Sequence, residues 1–303
     1  MRHSVVARLR RRLNKRANME YREHAAPAAL SRHVQCLWRL LDPAPSAAPQ
    51  TVYPDGRCEL IVHLAQPMQI QTSDGGWRAQ SRCLFAAQAR SAIRLRATGA
   101  LDCVGVRLRP EASAALFSAG APGGKPLAAW VDQVLDLHTL DAPFAAALSA
   151  HLGDGRDPIA PGFIALLGEH LVARSVDARI ASAVAVLDRA SGNLTLRALA
   201  VTVGMGVRSL QGRFLAAVGL TVKEYALVQR LQATIRQLDA GSSALAETAI
   251  EMGFADQAHA TRALRAFAGL TPARLRDALL AQRNGDQTLA MAAAFVRGES
   301  LPT

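Results

Sequence analysis

Two stretches of this chain repeat each other at a fixed spacing, and that repeat limits the fold more than any other feature. Gly219-Leu220-Thr221 returns fifty residues later as Gly269-Leu270-Thr271, and Phe214 and Leu264 keep the same offset. Landmarks that share one spacing mark a duplicated supersecondary unit rather than a chance pair of helices. The first unit, residues 194–222, reads as helix, tight turn, helix. Leu196, Leu199, Ala200 and Val203 share one side of its first helix, and Gly204-Met205-Gly206 supplies a sharp bend that glycine permits. The next helix, Val207–Ala217, buries Leu210 and Phe214 at i and i+4 and turns Arg208, Ser209, Gln211 and Arg213 outward. In the second unit Leu245, Ala249 and Met252 form the apolar stripe, Gly253-Phe254 the turn and Asp256–Phe267 the following helix. Between the units, Lys223–Leu238 reads as one helix with Tyr225, Val228, Leu231, Ile235 and Leu238 inward, a strut of about 24 Å.

The 303 residues are enough for two domains, and the net charge of +11 is unevenly shared between them. Residues 1–18 carry +7, residues 19–176 are neutral, residues 177–283 carry +5 and the last twenty carry −1. A neutral middle between basic segments localises any polyanion binding. Residues 1–18 are expected to be a disordered basic tail, with an upstream start, a nucleic-acid arm and a targeting peptide as the alternatives. No apolar run approaches the roughly 18 residues that cross a bilayer, and no secretory pattern opens the chain, so a cytoplasmic location is expected. Cys36, Cys58, Cys83 and Cys103 form no Cys-x-x-Cys pair, so they are read as buried thiols, and neither a metal nor a cofactor is expected.

Residues 19–175 are expected to form a regulatory or sensor domain, β-rich over 30–109 and helical over 110–175. Candidate strands are Val34–Leu41, Cys58–Leu64, Met68–Thr72, Arg82–Ala87, Ala92–Ala97 and Asp102–Arg109, with a turn at Pro54-Asp55-Gly56. The run Val104–Arg109 alternates apolar and basic residues, which predicts one buried and one wet face. Six short strands point to an antiparallel sandwich or small barrel. Helices are expected over Glu111–Ala119, Leu127–Val131, Leu140–Leu152 and Pro161–Arg174. The domain over 176–283 should be all-α, opened by a helix that Asp177 caps, with 284–303 as a tail. The fold class expected is therefore α+β in two domains.

Residues 177–276 resemble the arabinose-regulator (AraC) family of transcription factors. The match is strongest in Ala249-Ile-Glu-Met-Gly253-Phe254-Ala-Asp256-Gln257-Ala-His259-Ala-Thr-Arg262, closing with Gly269-Leu-Thr-Pro272 and Arg276. The upstream half matches through Leu199-Ala200, Gly204-Met205, Leu210-Gln211, Arg213-Phe214, Gly219 and Tyr225. The resemblance implies base-facing roles for Arg208 and Gln211 in the first recognition helix and for Gln257, His259 and Arg262 in the second. Ser209 and Arg213 share the first polar face. Arginine pairs bidentately with guanine and glutamine with adenine in the major groove. Two such helices would read adjacent groove segments, about 34 Å apart on one face of the duplex. The chain departs from the family pattern at Gly212, where a basic residue is usual, and at Ala260, Leu264 and Leu275, where larger aromatics are usual. Gly206 and Ala255 stand in for typical serine caps.

The neutral segment is similar to the N-terminal domain of one regulator subgroup through Val34–Trp38, Pro54-Asp55-Gly56 with Glu59-Leu60, and Gly105–Pro110. That similarity implies a β-rich sensor or dimerisation domain and names no effector. Trp38, Asp55, Glu59 and His63 are the candidate ligand-lining residues; their bland reading is packing, a turn and a strand end. The expected partners are double-stranded DNA, RNA polymerase and a small-molecule effector, with homodimerisation left open. A regulator without enzymatic activity is the leading reading. The competing readings are a cupin-like enzyme fused to a DNA-binding module, and an interaction adaptor with a degenerate second helix-turn-helix.

Overall fold

Short aliphatic and β-branched runs, separated by proline and glycine turns, pair into two antiparallel sheets in the N-terminal part of the chain. The computed structural model describes residues 19–117, 125–152, 158–171, 175–240, 253–254 and 256–283. Both tails and the stripe of Leu245, Ala249 and Met252 lie outside the described residues. The strands are β1 (Glu20–Ala25), β2 (Val34–Asp42), β3 (Gln50–Val52), β4 (Glu59–His63), β5 (Gln69–Gln71), β6 (Trp77–Ala79), β7 (Cys83–Ala86), β8 (Ile93–Arg96), β9 (Leu101–Leu108) and β10 (Val134–Asp136). A six-stranded sheet runs β1-β2-β9-β4-β7-β10 and a four-stranded sheet runs β3-β8-β5-β6. Each of the six expected strands forms within one residue of its expected bounds. Strands β1 and β10 fall outside the stretch expected to be β-rich, and β3 and β6 were not foreseen. Three of these four have only three residues, and β1 is a charged edge strand, so none carries an apolar alternation.

The larger sheet is buried on both faces. Leu60, Val62, Val104, Val106 and Leu108 pack under the helices, whereas Trp38, Leu40, Leu101 and Cys103 pack toward the smaller sheet. The β2–β9 register slips between Val34 and Cys36, and this bulge sends Val34 to the helical side and Cys36 to the inter-sheet side. The Trp38 indole lies across Gly105, its partner on β9, and fills the space that a Cβ there would need. Val104–Arg109 does not present the wet face that its alternation predicts. Arg107 is only 1% exposed, because the second sheet closes over the supposedly wet face. Pairing with Glu59, at 2.8 Å from Arg107 Nε to Oε1, makes that burial tolerable.

The outer face of the large sheet is covered by α1 (Leu137–Leu140), α2 (Ala142–Leu152) and α3 (Pro161–Leu171), which bury Phe144, Leu148, Phe163 and Leu167. The segments expected as helices near 111 and 127 are 3-10 helices, Pro110–Phe117 and Leu127–Trp130. They are connectors between strands and helices, where the tighter i to i+3 pattern is common.

The C-terminal part is all-α: α4 (Ala178–Arg189), α5 (Leu196–Thr202), α6 (Val207–Val218), α7 (Val222–Ala240), α8 (Gln257–Ala268) and α9 (Pro272–Arg283). Asp177 caps α4, accepting from the backbone N–H groups of Arg179 at 3.0 Å and Ile180 at 3.4 Å. The core joins Ile180, Val184 and Leu187 of α4, Leu199 of α5, Leu210 and Phe214 of α6, and Leu264 and Phe267 of α8 around α7. All five residues expected to face inward from the long helix are buried.

Candidate nucleic-acid interface

The sequence repeat becomes a geometric repeat. Helices α6 and α8 each have twelve residues, with N-caps at Gly206 and Asp256 and left-handed C-caps at Gly219 (φ 85°) and Gly269 (φ 71°). Each C-cap N–H closes its helix by donating to a carbonyl, that of Leu215 at 2.9 Å or of Arg265 at 3.0 Å. The threonine that follows starts the next helix. Thr221 and Glu224 form a capping box, with Glu224 N–H donating to Thr221 Oγ1 at 3.2 Å and Thr221 N–H donating to Glu224 Oε2 at 2.9 Å. The Gly-Leu-Thr landmark is thus a helix stop, a linker residue packed into or against the core, and a helix start. The expectation about caps holds for Gly206, which makes no side-chain cap bond, but the second cap falls on Asp256. Its carboxylate accepts the His259 N–H at 2.6 Å, at the position that Gly206 occupies in the first unit.

Arg208, Ser209, Gln211 and Arg213 are exposed on α6, and Gln257, His259 and Arg262 are exposed on α8. Arg213 is tethered, its Nε donating to Asp177 Oδ2 at 2.7 Å, so it braces α6 against the start of α4. The His259 ring lies edge-on to Phe254 with centroids 5.5 Å apart. An open cleft of about 700 Å³ runs beside α6, lined by Leu194, Leu196, Arg208, Gln211, Lys223 and Arg230 among others. Gly212 leaves its part of that wall without a side chain.

The β-rich domain is joined to these helices through the Pro54-Asp55-Gly56-Arg57 turn. Arg57 donates from Nη2 to Asp188 Oδ2 on α4 at 2.8 Å, from Nη1 to the Tyr225 hydroxyl on α7 at 2.7 Å, and from Nε to Gln35 Oε1 at 2.7 Å. Tyr225 in turn donates to Asp188 Oδ1 at 2.7 Å. Burial opposes the charge on Arg57, but Tyr225 and Asp188 outweigh it and hold the guanidinium protonated. Burial also drives the Tyr225 phenol far above its usual range, so it serves as a neutral donor. Gln229 donates to the Asp55 carbonyl at 3.1 Å, and Gln232 donates to that of Pro54. Gly56, at φ +80°, lies so close to Tyr225 and Gln229 that a Cβ would approach them to 2.9 and 2.6 Å. Further along, Tyr53 stacks on Phe267 of α8 at 6.5 Å, and Ala92 N–H donates to the Phe267 carbonyl at 2.7 Å.

Three of the four candidate ligand-lining residues converge on Arg107. Trp38 Nε1 donates to Glu59 Oε1 at 3.3 Å, Glu59 pairs with Arg107, and Asp55 Oδ2 stands 3.8 Å from Arg107 Nε. Asp55 also accepts the Arg57 backbone N–H at 2.9 Å, tying this buried group to the turn. Burial pushes the Asp55 and Glu59 carboxyls up, against the pull of Arg107. His63 stands apart at the far end of β4, 3.2 Å from Cys103 Sγ, and burial lowers its pKa to about 4. Among the described residues, no cluster of three His, Cys, Asp or Glu could hold a metal ion. Sequence reasoning did not find Tyr53, Arg57, Asp188, Gln229, Gln232 or Arg230. Each acts across more than twenty residues of chain, and no local pattern marks it.

Two known families match separate parts of the chain. Residues 199–278 match the family described as a helix-turn-helix domain, and residues 22–136 match a domain of unknown function (DUF6597). No curated protein matches the chain. Among solved structures, it is similar to ToxT from Vibrio cholerae at 1.65 Å, with 8% identity, a TM-score of 0.41, and coverage of 86% of this chain and 98% of that one. It is also similar to ToxT bound to an unsaturated fatty acid, with 8% identity, a TM-score of 0.39, and coverage of 86% and 95%. The AraC-like transcriptional activator CuxR gives 12% identity, a TM-score of 0.22, and coverage of 86% and 80%. No helix among the described residues is long and apolar enough to cross a membrane. The C-terminal region of this chain is a helix-turn-helix domain of the arabinose-regulator (AraC) type, as found in DNA-binding transcription regulators, set behind a β-rich domain.

Proposed function

We propose that the chain is a sequence-specific transcription regulator that reads two adjacent major-groove segments with α6 and α8, and whose N-terminal domain modulates that reading. The observation that carries this is the matched pair of twelve-residue helices, each ended by a left-handed glycine and each presenting exposed polar side chains. Arg208, Gln211, Gln257, His259 and Arg262 would face the bases, with Ser209 as a further contact and Arg213 as a brace. Backbone N–H groups at the starts of α6 and α8 would meet phosphates. One chain thereby spans both segments, and the division between sensor and reader falls near residue 176. Contact with RNA polymerase, or its exclusion, would convert binding into regulation in the cytoplasm.

The Arg57 contact supports modulation through the N-terminal domain. It joins a polar group inside the β-sandwich, Trp38, Glu59, Arg107 and Asp55, to the two helices that carry the reader. A small effector, or a second copy of the chain, that displaced this turn would be felt at α4 and α7. In-vitro selection of duplex DNA by the full-length protein tests the proposal. The expected result is a bipartite motif that Arg208→Ala relaxes in one part and Arg262→Ala in the other. Recovery of no enriched motif by the wild type would sink it.

A further inference from the structure

We infer that Arg230 is a positioning residue that sets the spacing between the two DNA segments, an inference that rests on the reading just proposed. Arg230 lies midway along α7, the helix that joins the two units. Its Nη2 donates to the Gly192 carbonyl in the turn before α5, and its Nη1 donates to the Gly253 carbonyl in the turn before α8, both at 3.2 Å. One planar guanidinium therefore holds both the turn that leads into the first helix-turn-helix unit and the turn inside the second, just before α8.

The two turns are held close to α7 and to each other. Gly192 (φ +71°) packs so tightly on the Ala226 carbonyl, one helical turn before Arg230, that no Cβ fits there. Gly253 (φ +74°) sits directly against the Asn193 side-chain amide, again with no room for a Cβ. The Arg230 guanidinium also lies 5.4 Å from the centre of the Phe254 ring, and Phe254 meets His259 in the first turn of α8. A shift of the Gly253-Phe254 turn would therefore move the start of α8. Arginine suits this post because its rigid fork can satisfy two carbonyls at once, whereas a lysine ammonium acts as a single point.

The test uses the full-length chain and the bipartite site selected by the wild type, with zero, one or two base pairs inserted between its halves. Each insertion turns one half by roughly 35° about the duplex axis. The wild type should lose at least about tenfold in affinity on a single insertion, since both units must engage together. Arg230→Lys and Arg230→Gln should bind the selected spacing more weakly, show a spacing preference within about threefold, and keep the affinity for a single half-site. Retention of the wild-type spacing preference would overturn the inference. So would a loss that is uniform over all spacings and accompanied by a salt slope smaller by about one, which would mark Arg230 as a phosphate contact.

A second measurement needs no DNA. Spin labels at Ala216→Cys and Ala266→Cys, exposed equivalent positions of the repeat, report the distance between α6 and α8; the four native cysteines are buried. The distance distribution should broaden in both Arg230 variants, and an unchanged distribution overturns the inference. A wild type that selects no DNA sequence would overturn the functional reading instead, while the label distances would still judge the staple.

Discussion

Replacing Arg57 with methionine should uncouple the two domains. The substitution keeps most of the side chain's length but removes the cation that Asp188, Tyr225 and Gln35 share. Breaking a fully buried ion pair costs about 3–5 kcal/mol. Here the Asp188 side chain is 30% exposed, so solvent screens the charge left behind. We therefore expect a loss of about 2–3 kcal/mol of interdomain stabilisation, below the range for a fully buried pair. The chain offers two probes for this. All three tryptophans, Trp38, Trp77 and Trp130, lie in the N-terminal domain, and most of the α-helix lies in α4–α9. In urea, tryptophan fluorescence and far-UV circular dichroism should follow one coincident transition in the wild type and separate transitions in Arg57→Met. Coincident curves for the variant, at the wild-type midpoint, would refute the view that Arg57 couples the domains.

The repeat provides an internal control for glycine. Gly219→Ala and Gly269→Ala both force a left-handed alanine, at about 1 kcal/mol each. Only at Gly219 would the new Cβ also press on Leu127, at 2.9 Å, so thermal melting should show the larger loss there. Arg208→Ala and Arg262→Ala should each weaken binding to the selected site by about 1–3 kcal/mol in a titration, with no change in melting temperature. His63 predicts a pH effect. Its folded pKa of about 4 lies below its ordinary 6.5, so its contribution is complete above pH 6.5 and is lost as pH falls toward 4. The buried Asp55 and Glu59 shift in the opposite sense, so the effect is read as a difference between proteins. His63→Asn should remove up to about 3 kcal/mol of acid-side slope, measured by urea unfolding between pH 7 and pH 4.5.

The parts of this molecule that were legible in its sequence are those governed by neighbours in the chain. Leu210 and Phe214, or Tyr225, Val228 and Leu231, reveal a buried helix face because the period of the helix is short. Gly219 and Gly269 reveal helix ends because a left-handed residue is nearly always glycine. Arg107 misled for the same reason: strand alternation reports which residues share a face, not what covers that face. A second sheet, built partly from three-residue strands, turned an apparently wet face into an interior. The Arg57 contact was illegible for a different reason. Pro54-Asp55-Gly56 signals a surface turn, and only the arrival of Asp188 and Tyr225 from far along the chain converts it into a buried junction.

One aromatic ring has a consequence for how such chains can be recombined. Tyr53 is encoded within the sandwich yet is only 3% exposed and packs as a member of the helical core, stacked on Phe267. A hybrid protein cut between residues 171 and 178, with a foreign reader grafted onto this sensor, would inherit a protruding tyrosine and a cationic turn that lack their sockets. Functional grafts should therefore carry the 53–57 segment across with the helices it grips, or rebuild the receiving positions at 188, 225, 229 and 267 in the new partner.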